Sequence, residues 1–278
     1  MTEARTTSYA RFYFRPLTPT QYYNEGFKHA KIRFSGDINA NVPVPVFLVF
    51  NLESLLMTKG VLFSAQSQAG HGSPVKQGEV DFSNLPFDKI YSDGPCDEET
   101  RRYRHAEILI PGLYQIDSSL RMIACRNECE KATLLNLLYN KDPAAYEKYK
   151  DHIRVVRGKM FQRNGLYVDN VVYHQSTICF EFACTPEKKK YEQQMKRKFD
   201  IEGDIFQIVA TYEFQWISTQ GEIIYSTVVE NALDYLSPRR VVFKLPPIEQ
   251  AYALQATVRL DGKIICVTKQ PIESFEMV

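Results

Sequence analysis

The stretch that decides the fold of the N-terminal half of this chain places one carboxylate inside an apolar segment: Arg101-Arg102-Tyr103-Arg104-His105-Ala106-Glu107-Ile108-Leu109-Ile110-Pro111. The apolar residues around Glu107 are typical of a largely buried β-strand. A glutamate in such a strand is costly unless a partner or a substrate needs its charge. Two interpretations follow: a functional carboxylate, or a structural ion pair with Arg102 or Arg104.

The overall composition indicates an ordered globular protein. The chain has 278 residues, of which 44% are hydrophobic, and a formal net charge of +1. This length suits one large domain or two of ordinary size, with enough apolar side chains for a core. Because the net charge is close to zero, any site for an anionic partner must be a local feature.

The cysteines and histidines predict neither a metal site nor a disulfide framework. Six cysteines and five histidines are scattered without the spacing of zinc ligands. The N-terminal residues do not form a signal peptide, and no run of 18 apolar residues occurs. We therefore expect a cytoplasmic protein with reduced thiols, no metal and no membrane span.

The N-terminal segment combines basic and aromatic residues. Residues 1–36 carry six Lys/Arg against two Asp/Glu, and Phe12 and Tyr13 lie between two arginines. Aromatic rings that stack on bases and cations that neutralise phosphates are the usual elements of a single-strand nucleic-acid site. The alternative is that Phe12 and Phe14 face a core and that the following prolines mark a loop.

The rest of the N-terminal half predicts an α+β arrangement. A strand over 44–50, a short helix over 52–57 and a strand over 61–63 imply a mixed sheet. Residues 64–100 form a long polar segment that contains His71, which is more typical of a functional loop than of a simple connection. Apolar spacing and an Asn127 cap predict a helix over 128–140.

The C-terminal half has a different pattern. Between residues 166 and 269, about seven segments alternate apolar and polar residues and are rich in Val, Ile, Phe and Tyr. They predict an all-β, sandwich-like (Ig-like) domain over 153–278 that follows a mixed-sheet domain over 1–152. The charged segment 187–198 is predicted to be helical or mobile, and a solvated helix face is favoured over a nucleic-acid site.

Two motifs resemble those of the DarT family of ADP-ribosyltransferases, toxins that use NAD to modify thymidine in single-stranded DNA. The first motif is Phe12-Tyr13-Phe14-Arg15-Pro16-Leu17-Thr18-Pro19. The second is Arg104-His105-Ala106-Glu107-Ile108-Leu109-Ile110, followed at the right distance by the predicted helix. The resemblance covers residues 8–140 and implies an ADP-ribosyltransferase-like fold for the first domain.

The resemblance also implies roles for individual residues, with Glu107 as the catalytic glutamate. Its carboxylate would stabilise the positive charge on the ribose as nicotinamide departs and could serve as a general base. For NAD binding, Arg5, Arg11 or Arg15 is expected to take the place of the arginine that family members carry, with Arg11 and Arg15 as the selected candidates, because a guanidinium fork suits a diphosphate. Nucleic-acid contacts are expected from Phe12, Tyr13, His71, Arg102 and Arg104. The implied partners are single-stranded DNA and an antitoxin protein, with no metal.

Some family features are not found in the sequence. Members carry a histidine-bearing strand and an arginine-bearing helix ahead of the aromatic segment, whereas this chain starts at Met1, and Leu17 stands where an arginine is expected. One alternative to an enzyme is therefore a non-catalytic nucleic-acid- or protein-binding descendant of the same fold. Another is a β-sandwich interaction protein with an unrelated α+β domain.

Overall fold

A computed structural model describes residues 8–69, 73–174, 176–203 and 205–272. The chain divides into two compact units, and each is built from two separate segments. The first unit comprises residues 1–22 and 48–123, and the second comprises residues 23–47 and 124–278. The boundary predicted between residues 152 and 153 does not coincide with this division, because residues 23–47 and 124–152 belong to the same unit as the C-terminal strands.

The structure forms thirteen strands and eight α-helices within the described residues. The strands are β1 Tyr9–Tyr13, β2 Phe47–Phe50, β3 Leu62–Ser64, β4 Glu107–Pro111, β5 Leu120–Cys125, β6 Ile153–Val155, β7 Val168–His174, β8 Thr177–Phe182, β9 Gln207–Ile217, β10 Ile223–Asp234, β11 Val241–Lys244, β12 Ala253–Leu260 and β13 Lys263–Pro271. The helices are α1 Pro19–Asn24, α2 Leu52–Leu56, α3 Glu79–Ser83, α4 Phe87–Ile90, α5 Glu98–Tyr103, α6 Glu128–Lys141, α7 Pro143–Tyr149 and α8 Pro186–Lys198. The content is α+β, as the sequence predicts.

The first unit is organised around the strand that contains Glu107. β4 is the central strand of a three-stranded antiparallel sheet in the order β1-β4-β3. Ile108 and Ile110 of β4 pack with Leu55 of α2 in a buried cluster. Since neighbouring residues of a strand point to opposite faces, these two isoleucines place Glu107 on the face away from that cluster.

The predicted strand over 44–50 is shorter in the structure. β2 begins only at Phe47, and Leu48 is exposed. Pro45 lacks the backbone N–H that a central strand needs, so the apolar run cannot pair along its full length.

The second unit contains the predicted α6 helix and the seven predicted C-terminal strands. The side chain of Asn127 accepts a hydrogen bond from the backbone N–H of Glu130, which caps α6 as expected. The C-terminal strands form two sheets, in the orders β11-β8-β7 and β10-β9-β12-β13. The ring of Phe180 in β8 lies 5.4 Å from that of Tyr212 in β9, so aromatic side chains join the two sheets.

The second unit also buries a network of charged groups. Arg126 donates to both Glu25 and Glu130, and all three side chains are almost completely buried. The Arg126 guanidinium also lies 3.6 Å from the centroid of the Tyr167 ring. A buried guanidinium between two carboxylates is tolerated because each charge has a partner.

Two further properties of the described ranges concern membranes and metals. None of their helices combines the length and the hydrophobicity that crossing a bilayer requires. The same residues contain no group of three or more histidine, cysteine, aspartate or glutamate side chains arranged to hold a metal ion.

Candidate active site around Glu107

Glu107 is the first residue of β4, and its side chain is buried. It is 1% exposed and lies opposite Tyr13 of β1 on one side and Ser64 of β3 on the other. Residues that lie opposite each other on antiparallel strands share a face of the sheet. Tyr13, Glu107 and Ser64 therefore form one row across the sheet, on the face away from the isoleucine cluster.

Arg11 holds the Glu107 carboxylate with two hydrogen bonds. Its Nε donates to Oε2 over 2.9 Å, and its Nη2 donates to Oε1 over 2.6 Å. Arg11 lies opposite Leu109, so it reaches Glu107 diagonally across the same face of the sheet. The hydrogen bond that Arg11 donates to Glu107 raises the pKa of Arg11. The Arg11 side chain is 29% exposed, whereas that of Glu107 is 1% exposed.

This pairing corrects one interpretation of the sequence. Neither Arg102 nor Arg104 is the partner of Glu107. Arg102 is exposed on α5 and pairs with Glu98, and the Nε of Arg104 donates to the hydroxyl of Ser92 over 3.2 Å. The Nη2 atom of Arg104 is buried and has no hydrogen-bond partner among the residues that the structure describes.

Two residues after β3 also contact Glu107, and the sequence analysis did not single them out. The hydroxyl of Ser67 donates to Oε1 over 3.3 Å, and the backbone N–H of Gln68 donates to Oε2 over 3.5 Å. The side-chain amide of Gln68 donates to the carbonyl of Ser73. The available signal was the Ser/Gln-rich composition of this segment directly after a short strand.

His105 is a second residue of the site that the sequence analysis did not select. It lies in the turn between α5 and β4, two positions before Glu107. Burial lowers the pKa of His105, so its imidazole is neutral near pH 7. Within the described part of the chain, its buried Nδ1 has no hydrogen-bond partner. The Tyr13 ring lies 6.5 Å away, centroid to centroid.

The structure separates the two predicted aromatic contacts, Phe12 and Tyr13. Tyr13 is 45% exposed on the face that carries Glu107. Phe12 points to the opposite face, where its ring makes edge contacts with Phe50 and Tyr114 at 5.0 and 5.2 Å. Phe12, predicted to contact nucleic acid, therefore packs against the core instead, as the alternative interpretation held.

Arg15, predicted to bind NAD, holds a loop in the structure. Its Nη1 donates to the carbonyls of Ile90 and Ser92 over 2.9 and 2.6 Å. Its Nε donates to the Pro16 carbonyl, and its Nη2 donates to Asp93. Each guanidinium nitrogen already has an acceptor. His71, predicted to contact nucleic acid, lies outside the described residues.

The first unit also contains a cleft of about 780 Å³ that does not involve Glu107. It is lined by residues of α2 and α3 and by Phe63 of β3. Phe63 lies opposite Ile108, so it faces the apolar side of the sheet. The cleft is therefore distinct from the Glu107 site.

Comparisons with known proteins point to one family. The family described as "ssDNA thymidine ADP-ribosyltransferase, DarT" matches residues 3–161, which is more than half of the chain. This match confirms the resemblance seen in the two motifs. Among curated proteins, none matches the sequence.

Solved structures that match part of this chain include two complexes of DarT from Thermus sp. 2.9. Its complex with carba-NAD+ is 16% identical and has a TM-score of 0.43, covering 55% of this chain and 73% of that chain. Its complex with ADP-ribosylated ssDNA is 17% identical and has a TM-score of 0.43, covering 55% of this chain and 68% of that chain.

Proposed function

The chain belongs to the DarT family of ssDNA thymidine ADP-ribosyltransferases, and we propose that it transfers ADP-ribose from NAD to thymine in single-stranded DNA. The observation that carries this proposal is the buried Glu107 carboxylate held by the guanidinium of Arg11. Such a pair keeps a negative charge in a fixed position where water is excluded. A fixed charge in a region of low dielectric is most effective against charge that develops during a reaction.

The site suits NAD in its charge distribution. NAD supplies the ADP-ribosyl group, with nicotinamide as the leaving group. The Glu107 carboxylate would accept a hydrogen bond from a ribose hydroxyl and stabilise the positive charge on the ribose. A carboxylate has about four lone-pair positions, and Arg11, Ser67 and Gln68 already donate to them. The ribose hydroxyl would therefore replace one of the two longer hydrogen bonds, from Ser67 at 3.3 Å or from Gln68 at 3.5 Å, while Arg11 remains bound.

Of the two arginines predicted to bind NAD, we assign the contact to Arg11. Its side chain is partly exposed, and the planar fork of N–H donors of a guanidinium suits a diphosphate. The guanidinium nitrogens of Arg15 already donate to loop carbonyls and to Asp93. Arg15 would therefore act indirectly, by holding the loop at Ile90–Asp93.

The acceptor base would be held by Tyr13 and His105. The exposed Tyr13 ring offers a stacking surface on the face that carries Glu107. The neutral imidazole of His105 has a free acceptor or donor at Nδ1, depending on its tautomer. Glu107 would also draw the proton from the thymine ring nitrogen. These assignments give a function to the polar side chains of Arg11, His105 and Glu107, which lie near the N-terminal end of β4.

We place the protein in the cytoplasm, where both NAD and DNA are present, and we propose an antitoxin protein as a further partner. A toxin that modifies DNA must be neutralised in its own host, which supports such a partner. Arg102 and Arg104 remain proposed contacts to the DNA backbone, since both lie directly before the Glu107 strand.

The test uses the whole chain with NAD and a single-stranded oligonucleotide that contains one thymidine. We expect the DNA to gain the mass of one ADP-ribosyl group. The Glu107→Gln variant keeps the shape of the side chain and is expected to lower the rate at least about 100-fold. An oligonucleotide with cytidine in place of thymidine is the control. No mass gain with the unaltered chain would refute the proposal.

The second candidate is a binding function without catalysis. It is favoured by the fact that both Glu107 oxygens already accept hydrogen bonds from Arg11. In that case the oligonucleotide binds in a salt-sensitive manner, and binding survives Glu107→Ala. NAD binding by calorimetry separates the two candidates, because only the enzyme requires it.

A further inference from the structure

The second unit carries a surface whose chemistry the Glu107 site does not explain. It is formed by the C-terminal end of α8 and by residues 23–34, which are far apart in the sequence but packed together. The hydroxyl of Tyr191 in α8 donates to the carbonyl of Ile32 over 3.2 Å, which fixes one segment against the other. We call the resulting group the basic-aromatic surface, and it consists of Tyr23, Lys31, Phe34, Lys196, Arg197 and Lys198.

Aromatic rings position the lysines of this surface. The Lys198 ammonium lies 4.7 Å from the Phe34 ring centroid and 5.6 Å from that of Tyr23. The rings of Tyr23 and Phe34 lie against each other, 4.2 Å apart. Lys31 and Lys196 approach one further ring, that of Phe206, at 5.3 and 5.5 Å. Rings hold these cations without neutralising their charge.

The charge of Lys31 and Lys198 is available to a partner. Among the residues that the structure describes, no carboxylate forms an ion pair with either ammonium group. The ammonium of Lys31 donates to the Ile205 carbonyl, which leaves further N–H donors. Of the two glutamates in α8, Glu192 pairs with the buried Lys188, and Glu187 lies in the first turn, at the other end of the helix.

A helix with many lysines is usually a solvated face, and this is what the sequence alone favours. The structure adds that cations from two distant segments meet around aromatic rings. Flexible lysines lose side-chain entropy when they bind a partner, and rings that already hold the ammonium groups reduce that cost. Ammonium groups that are already ordered can contact the phosphates of a flexible polyanion, and the partly exposed rings beside them can contact its flat bases.

We propose that the basic-aromatic surface binds the backbone of single-stranded DNA, as a contact to the substrate polymer separate from the Glu107 site. The ammonium groups of Lys31 and Lys198 contact phosphates, and the edge of the Tyr23–Phe34 pair contacts a base. The choice of DNA as the polymer rests on the proposed function. Three of its six residues, Lys196, Arg197 and Lys198, lie in α8, beyond the residues that match the family.

The test measures DNA binding without catalysis. It uses the full chain with Glu107→Gln, no NAD, and a fluorescent oligonucleotide of about 20 thymidines. The test variant carries Lys31→Ala and Lys198→Ala. The matched control carries Lys244→Ala and Lys263→Ala, which remove two exposed lysines from β11 and β13 of the same unit. Anisotropy is recorded between about 50 and 200 mM salt.

We expect the test variant to bind about tenfold more weakly and the control to bind like the parent protein. Loss of two phosphate contacts makes the salt slope less negative by about 1.4 for a single strand. The Phe34→Leu variant keeps an apolar side chain, loses the ring and is expected to weaken binding without changing the salt slope. Equal affinities for the test and control variants would overturn the proposal.

An acidic membrane is the other polyanion that basic surfaces bind. Vesicles that contain phosphatidylserine form a second arm of the test. If the lysine variant loses vesicle binding but keeps oligonucleotide binding, the proposal is overturned and the surface is assigned to lipid. Because NAD is absent and Glu107 is replaced, failure of thymidine modification does not alter this result.

Discussion

The guanidinium of Arg11 and the carboxylate of Glu107 form a two-point ion pair across adjacent antiparallel strands, with hydrogen bonds of 2.9 and 2.6 Å. Glu107 is 1% exposed, whereas the Arg11 side chain is 29% exposed. The pair therefore links a buried charge to the surface. This geometry fixes the position of the Glu107 carboxylate beside the Arg11 guanidinium.

Replacing Arg11 should destabilise the protein, because the buried Glu107 carboxylate would lose its cationic partner and, among the described residues, keep only the hydrogen bonds from Ser67 and Gln68. We expect Arg11→Ala to lower the free energy of unfolding by about 2–4 kcal/mol, measured by urea denaturation. Arg121→Ala removes an exposed arginine from the same unit and should change it by less than about 0.5 kcal/mol. Equal effects of the two substitutions would contradict the structural role of the pair.

Arg126 should be more sensitive than an exposed arginine, because it neutralises both Glu25 and Glu130 in the interior. Arg126→Met is expected to cost about 3–5 kcal/mol of unfolding free energy, since two buried carboxylates lose their partner. Arg102→Met breaks only the exposed pair with Glu98 and should cost less than about 1 kcal/mol. Chemical denaturation of both variants checks this difference, and a mild effect at Arg126 would argue against the buried network.

His105 should make stability depend on pH. Burial lowers its pKa in the folded protein below the ordinary value of 6.5, so the unfolded chain binds a proton first as the pH falls. The free energy of unfolding should therefore decrease as the pH drops through 6.5 towards the lower folded pKa. His105→Gln should reduce this decrease. Burial also lowers the pKa of His29, so part of the pH dependence should remain in the His105→Gln variant.

The measurement compares unfolding free energies at about pH 7.5 and about pH 5.5. His174→Gln, at an exposed position of β7, is the matched control. A pH dependence that is the same in the His105 variant and in the unaltered chain would show that His105 is not buried as described.

Gly165 should not tolerate a side chain. A Cβ at this position would lie 2.7 Å from the Cα of Gly26 and 2.8 Å from the carbonyl oxygen of Glu25, and backbone atoms cannot move aside easily. We expect Gly165→Ala to lower the melting temperature and to reduce the free energy of unfolding by at least about 1–3 kcal/mol. A Cβ at Gly36 would meet no atom within 4 Å, so the loss of stability in Gly36→Ala comes only from backbone strain at φ +67°. A smaller loss at Gly165 than at Gly36 would contradict the close contact of the two glycines.

The sequence by itself determined the local elements and their chemistry. Alternating apolar residues predicted the Glu107 strand and the seven C-terminal strands, and Asn127 with Glu130 predicted the start of α6. These signals are local, because periodicity and capping depend on residues within a few positions of each other. The two motifs also identified the family, although Leu17 departs from its pattern.

Only the tertiary structure decided which side chains meet. Arg11 and Glu107 are 96 positions apart, and the pairing of β1 with β4 brings them together. The same pairing turns Tyr13 towards the site and Phe12 towards the core, since a shift of one residue would exchange the two faces. Each unit is assembled from two separate segments of the sequence by long-range contacts, so no local signal marks the boundaries of the units.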